Sequence, residues 1–169
     1  RSWWSHIVRE AHQRAPRAAF TVHAGDLVNS AKKDAEWGEW FGAGGWLNAM
    51  IPVVAAPGNH DYPDGKINRH WRPQFAFPTN GPEGLEETAY WFDYQGVRFV
   101  SLNSNERLEE QACWLDGLLS KCPASQWKIV TYHHPLFSAA KDRDNPEIRK
   151  IMQPVFPRHH VDLALQGHD

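Results

Sequence analysis

Asp26, Asn59, His133 and His168 together offer a carboxylate, an amide oxygen and two imidazoles. Such a mixed oxygen and nitrogen donor set suits Mn, Fe or Zn ions better than Ca²⁺. Each residue stands in a short polar group: Gly25-Asp26, Gly58-Asn59-His60-Asp61, His133-His134-Pro135 and Gly167-His168-Asp169. Each group follows a short apolar run, at 19–24, 53–56, 128–132 and 161–165. Taken singly, Asp26 reads as a cap or turn residue, and Asn59 and His60 as turn residues behind Pro57-Gly58. Four such endings in one chain favour metal chemistry instead. The two oxygens of Asp26 can also bridge a second ion, and metal ions roughly 3.5–4 Å apart can share a hydroxide, aim it at phosphorus and neutralise an in-line displacement. His60 can bond a phosphate oxygen or protonate a leaving alkoxide, with Asp61 fixing its tautomer. Arg69, Tyr62 and His134 are candidate substrate contacts. A guanidinium pairs bidentately with phosphate, although a solvated loop arginine is the alternative reading of Arg69.

These groups need strands to carry them, because in open α/β sheets the ligand crevice lies beyond the carboxyl ends of the strands. A helix is expected over Ser2 to Ala15, with Trp3 or Trp4, Ile7 or Val8, Ala11 and Ala15 on one face before Pro16. A strand through Phe20 and Val22 follows, and then a helix over Asp34 to Met50 with Trp37, Trp40, Phe41 and Leu47 at helical spacing. The strand Val53 to Ala56 leads into a long loop over the site, from Pro57 to Thr88. Tyr90 to Tyr94 and Val97 to Leu102 form a hairpin around Gln95-Gly96. A helix from about Arg107 to Leu119 buries Leu108, Ala112, Leu115 and Leu119, and Asn145-Pro146-Glu147 reads as an N-cap with proline at the first helical position. Pro154 bends or ends that helix. The residues alone give a mixed α/β sheet between helix layers in a single domain spanning 1–169.

The charge balance of 18 basic against 20 acidic residues, with no basic run, disfavours a nucleic-acid tract. No apolar stretch approaches the roughly 20 residues a membrane helix needs. Cys113 and Cys122 flank a helix end, as two free thiols or a small local disulfide. His23, inside a strand, reads as a hydrogen-bonded core histidine; His6, His12, His159 and His160 read as surface residues. Asn103 and Asn105 end a strand near the site without an evident chemical role.

The series GD, GNHD, HHP and GH, in that order and each after a strand, resembles the calcineurin-like metallophosphoesterase superfamily from Phe20 to Asp169. The segments WFDYQGVRFVSLNS and WKIVTYHHPLFS most resemble its purple acid phosphatase-like branch. The resemblance implies a four-layer α/β/β/α sandwich with mixed sheets and a dinuclear centre of Mn, Fe or Zn at its mouth. It implies that Asp26 is the bridging aspartate, that Asn59, His133 and His168 complete one metal's protein ligands, and that His60 contacts phosphate. The family's first motif, an aspartate with a histidine two residues on, would end a strand before Ser2, and the second histidine of its last motif would be residue 170. The chain is therefore expected to be incomplete at both ends, with one full ligand set. Asn29 stands where purple acid phosphatases carry a tyrosine ligand, which argues against a tyrosinate-iron centre. The expected activity is phosphomonoester hydrolysis of a small substrate by a metal-bridging hydroxide. A diesterase on nucleotide or lipid-type esters and a noncatalytic scaffold module are the alternatives. Neither the compartment nor the oligomeric state is read from the sequence; only the family analogy points to an extracytoplasmic location.

Overall fold

A computed structural model describes residues 2–169. Helix α1 (Ser2–Arg14) turns Trp4 and Val8 inward and leaves Trp3 and Ile7 in solvent, which resolves the two alternatives on its face. It lies on α2 (Asp34–Asn48), where Trp37, Trp40, Ala43, Gly44 and Leu47 are buried and Trp4 stacks on Trp40 with centroids 6.2 Å apart. Beneath these helices, β1 (Thr21–His23) and β2 (Val53–Ala55) form a two-stranded parallel sheet. His23 is held between Trp4 and Trp40 and reaches the Thr21 hydroxyl at 3.2 Å; burial pulls its pKa down to about 4.

The second sheet has four strands in the order β3-β4-β5-β6: Tyr90–Tyr94, Val97–Ser101, Trp127–Thr131 and Leu163–Leu165. The hairpin β3-β4 is antiparallel, and β5 and β6 add in parallel. The strands thus divide between two stacked sheets, where the residues alone suggested one. The reason is aromatic: Phe20 meets Phe92, Tyr94 and Phe99 edge-on at 5.0–5.6 Å, and these side chains occupy the face of the hairpin that looks at β1. The Tyr90 hydroxyl donates to the Ala55 carbonyl at 2.9 Å and accepts from the Ala55 N–H at 3.1 Å, pinning one sheet to the other. The opposite face buries Val100 and Val130 against Leu115, Leu119, Met152 and Val155 of the last layer. That layer is α4 (Leu108–Leu119), α5 (Pro146–Met152) and α6 (Val155–Arg158). The result is the four-layer α/β/β/α sandwich.

Several local readings need correction. The long loop carries a short helix, α3 (Trp71–Gln74), because the fully buried Trp71 needs a fixed seat and donates its indole N–H to the Glu87 carbonyl. Asn145 does not cap α5 with its side chain; its amide donates to the carbonyls of Pro135 and Arg143 instead. Pro154 ends that helix as expected, standing between α5 and α6. His159 is no free surface group, since its Nε2 lies 2.8 Å from Asp116 Oδ1. Both cysteines are free thiols, and no described helix is long and apolar enough to cross a membrane.

Candidate metal centre

β1, β2, β5 and β6 all end at one place, and each delivers one of the expected donors there. Just after β1, Gly25 has φ +89 and Asp26 φ 52, a sharp turn that folds the aspartate back over the sheet. A Cβ on Gly25 would stand 2.5 Å from His133 Nδ1 and 2.8 Å from Gly58 Cα, so the turn closes only around glycine. Gly58, after β2, meets the Asp26 side chain in the same way.

The geometry is organised around His133, whose side chain is 2% exposed. Its Nδ1–H donates to the Ala24 carbonyl at 2.7 Å, so that in the neutral ring the lone pair is on Nε2. Around that Nε2 stand His168 Nδ1 at 3.0 Å, Asn59 Oδ1 at 3.1 Å and Asp26 Oδ2 at 3.2 Å. Donors held about 2.1 Å from one ion at octahedral or tetrahedral angles stand about 3.0–3.4 Å apart, so these spacings fit a transition metal. Burial disfavours protonated His133, but Asp26 and the Ala24 carbonyl outweigh it and raise its pKa in the metal-free protein. Burial likewise opposes ionisation of Asp26, yet the bonds to His133 and the His60 amide hold its carboxyl below the usual range.

His60 lies at the open side, with Nδ1 2.5 Å from the Asn29 carbonyl and Nε2 3.8 Å from Asp26 Oδ2. Its tautomer is therefore fixed by the main chain of Asn29, and the expected role of Asp61 is corrected. Asp61 is fully buried; its Oδ2 accepts from the Gly58 N–H at 2.8 Å and the Asp26 N–H at 3.1 Å, and its Oδ1 has no partner. It ties the first two turns together. Burial, assisted by the Asp26 charge, pushes its pKa up to about 6.

Tyr62 is also corrected. Its hydroxyl is buried, donates to Glu106 Oε1 at 2.7 Å and accepts from Asn103 Nδ2 at 2.5 Å, so it points into the protein interior. Asn103 thereby acquires a role, as does Asn105, whose amide donates to the Pro57 carbonyl at 3.2 Å. The two brace the Gly58–Tyr62 turn against the end of β4. His134 bonds Ser104 Oγ through Nδ1 at 2.9 Å and packs on His133 and His168 with centroids 4.7–5.1 Å apart. Burial lowers its pKa to about 4, and donor atoms of the three imidazoles come within 4.8 Å of one another. Arg69 is exposed and lines a separate concavity beside Lys66.

One neighbour was not anticipated. Arg143 places Nη1 2.6 Å from His168 Nε2, at the mouth of the cluster. A neutral imidazole carries one proton, so accepting from Arg143 at Nε2 leaves that proton on Nδ1, the atom that faces His133. The charged run Lys141-Asp142-Arg143-Asp144 after the HHP group was the only sequence signal for it.

The model of the family described as calcineurin-like phosphoesterase matches residues 2–169. The chain belongs to the calcineurin-like phosphoesterases. This calcineurin-like phosphoesterase is 26% identical over 133 residues to purple acid phosphatase 13 of Arabidopsis thaliana, across 72% of the chain and 24% of that protein. It is 32% identical over 85 residues to purple acid phosphatase 3 of the same plant, across 50% of the chain and 22% of that protein. It thus spans under a third of the length of these relatives. Among solved structures, its fold is similar to purple acid phosphatase PPD1 from yellow lupin (Lupinus luteus) seeds, with a TM-score of 0.82 at 21% identity, covering 97% of this chain and 33% of that one. It is also similar to GAP50, the anchor in the inner membrane complex of Plasmodium, with a TM-score of 0.56 at 18% identity over 98% of this chain and 60% of that one. Membership in the family implies a dinuclear metal centre. The donor set fits that expectation for one of the two ions.

Proposed function

We propose that this chain carries the metal centre of a phosphomonoesterase, with Asp26, Asn59, His133 and His168 as ligands of one ion and His60 serving the leaving group. The observation that carries the reading is the convergence of three donors on the Nε2 of His133 at 3.0–3.2 Å. Metal ions bound there would supply a hydroxide nucleophile and offset the charge that develops on phosphorus. The protein's own part is positional. The Ala24 carbonyl fixes His133, the His60 amide fixes Asp26 Oδ1, and Asp61 holds both turns in register. Because Nδ1 of His60 is engaged by the Asn29 carbonyl, its Nε2 is the atom left to face substrate. In the imidazolium form that Nε2–H can be delivered to the departing alkoxide.

The names of the plant relatives, purple acid phosphatases, support reading a monoesterase before a diesterase. The test is turnover of p-nitrophenyl phosphate against bis(p-nitrophenyl) phosphate by Mn²⁺-loaded protein, with His60→Asn alongside. Faster monoester turnover, lowered at least tenfold by the substitution, is expected; general acid catalysis is worth about 10²–10⁴-fold. Faster diester turnover would transfer the reading to a phosphodiesterase. Mn²⁺ retention with neither ester hydrolysed would favour a scaffold, the reading that the similarity in fold to an anchor protein keeps open.

A further inference from the structure

The surface holds a second concavity, of about 460 Å³, lined by Lys32, Pro63, Asp64, Lys66, Ile67, Asn68 and Arg69. Three cations face one carboxylate there. Asp64 is engaged by Lys32 at 2.6 Å, while Lys66 and Arg69 have no carboxylate within ion-pairing distance among the described residues. The loop that carries them is anchored, since the Asn68 N–H donates to the Asp61 carbonyl at 2.9 Å and the Gly65 N–H to the Tyr62 carbonyl at 3.2 Å.

The place of this concavity follows from the chain itself. A smaller one, of about 230 Å³, is lined by Asp26 to Asn29 and His60. Lys32 is three residues past Asn29, and Pro63 three past His60. At about 3.8 Å per step, the walls of the two concavities are therefore joined by spans of at most about 11 Å. His60 lines the smaller one, and the Asn68–Asp61 backbone bond ties the loop that carries Lys66 and Arg69 to the residue next to His60.

We propose that Lys66 and Arg69 form an anion subsite that selects phosphoesters whose leaving group carries a second negative charge, a carboxylate or a further phosphate. The proposal rests on the hydrolase reading, because that reading puts the scissile phosphate beside His60. A second oxyanion on the leaving group would then meet two unpaired cations, while a neutral leaving group would meet only solvent. Lys32 and Asp64 neutralise one another and set the rim.

The experiment compares calorimetric binding of phenylphosphonate and 4-carboxyphenylphosphonate, neither of which can be hydrolysed, to Mn²⁺-loaded protein. The carboxylate compound should bind about fivefold tighter, the scale of two partly exposed ion pairs. The preference should vanish in Lys66→Ala/Arg69→Ala, persist in Lys66→Arg/Arg69→Lys, and shrink at about 1 M salt, where the Debye length is about 3 Å. Equal affinities in the wild type, a preference that survives the double alanine variant, or no binding of either compound would overturn the proposal. Turnover of p-nitrophenyl phosphate by the same samples keeps the two readings apart. Turnover without the preference overturns the subsite alone, and loss of both overturns the hydrolase reading on which the subsite rests.

Discussion

Replacing Asp61 with asparagine separates two roles for a residue beside the metal ligands. If Asp61 held a protonated His60, its carboxyl would titrate below its unfolded value near 3.8. In the structure it touches only backbone N–H groups, is fully buried, and titrates at about 6. A raised folded-state pKa means that the native protein binds more protons than the unfolded chain between about pH 4 and 6, so this stabilisation is complete below pH 4 and lost as pH rises through 6. Two units correspond to about 3 kcal/mol in full, of which about 1–2 kcal/mol falls between pH 5 and 7.5. Asparagine has no such titration. It can still accept from Gly58 and Asp26, but it places an NH₂ where Oδ1 has no partner, a pH-independent cost of about 1–3 kcal/mol. The quantity to follow is therefore the stability difference between variant and wild type, by urea unfolding of chelator-treated protein at pH 5, 6, 7 and 7.5. Asp61→Asn should gain about 1–2 kcal/mol on the wild type across that range. A constant difference, or a drift the other way, would refute the burial argument, and the second outcome would restore the pairing with His60.

Asn103→Ala removes the amide that donates to Tyr62 and Thr88 and should cost about 2 kcal/mol in the same unfolding assay, with weaker Mn²⁺ retention as the Gly58–Tyr62 turn loosens. Arg143→Ala removes a cation that stands against His168 and holds the ring proton on the metal-facing nitrogen; Mn²⁺ affinity measured by calorimetry should rise about twofold to fivefold.

What could be read from the sequence was the chemistry at the strand ends. Polar groups after apolar runs, three of them opened by glycine, signal turns closing over a sheet edge, and Asp26, Asn59, His133 and His168 do meet there. The division into two sheets was not legible from periodicity, because Phe20, Phe92 and Phe99 look like any other inward residues until their partners are known. The partner of His60 was hidden for a different reason. It is a main-chain carbonyl, and every residue has one, so Asn29 leaves no mark in composition or spacing. Tyr62 misled because proximity in sequence to a ligand says nothing about direction: the side chain one residue past Asp61 turns into the core to meet Asn103 and Glu106.

The central claim is that one metal site is assembled from the ends of four strands. Its most direct test is the Mn²⁺ content of the protein after loading and desalting, with Asn59→Ala treated in parallel. The account predicts about one ion retained per chain and its loss in the variant, since the amide oxygen is one of a small set of protein donors at such a site. No retained Mn²⁺ in the wild type, or equal retention in both, would contradict it.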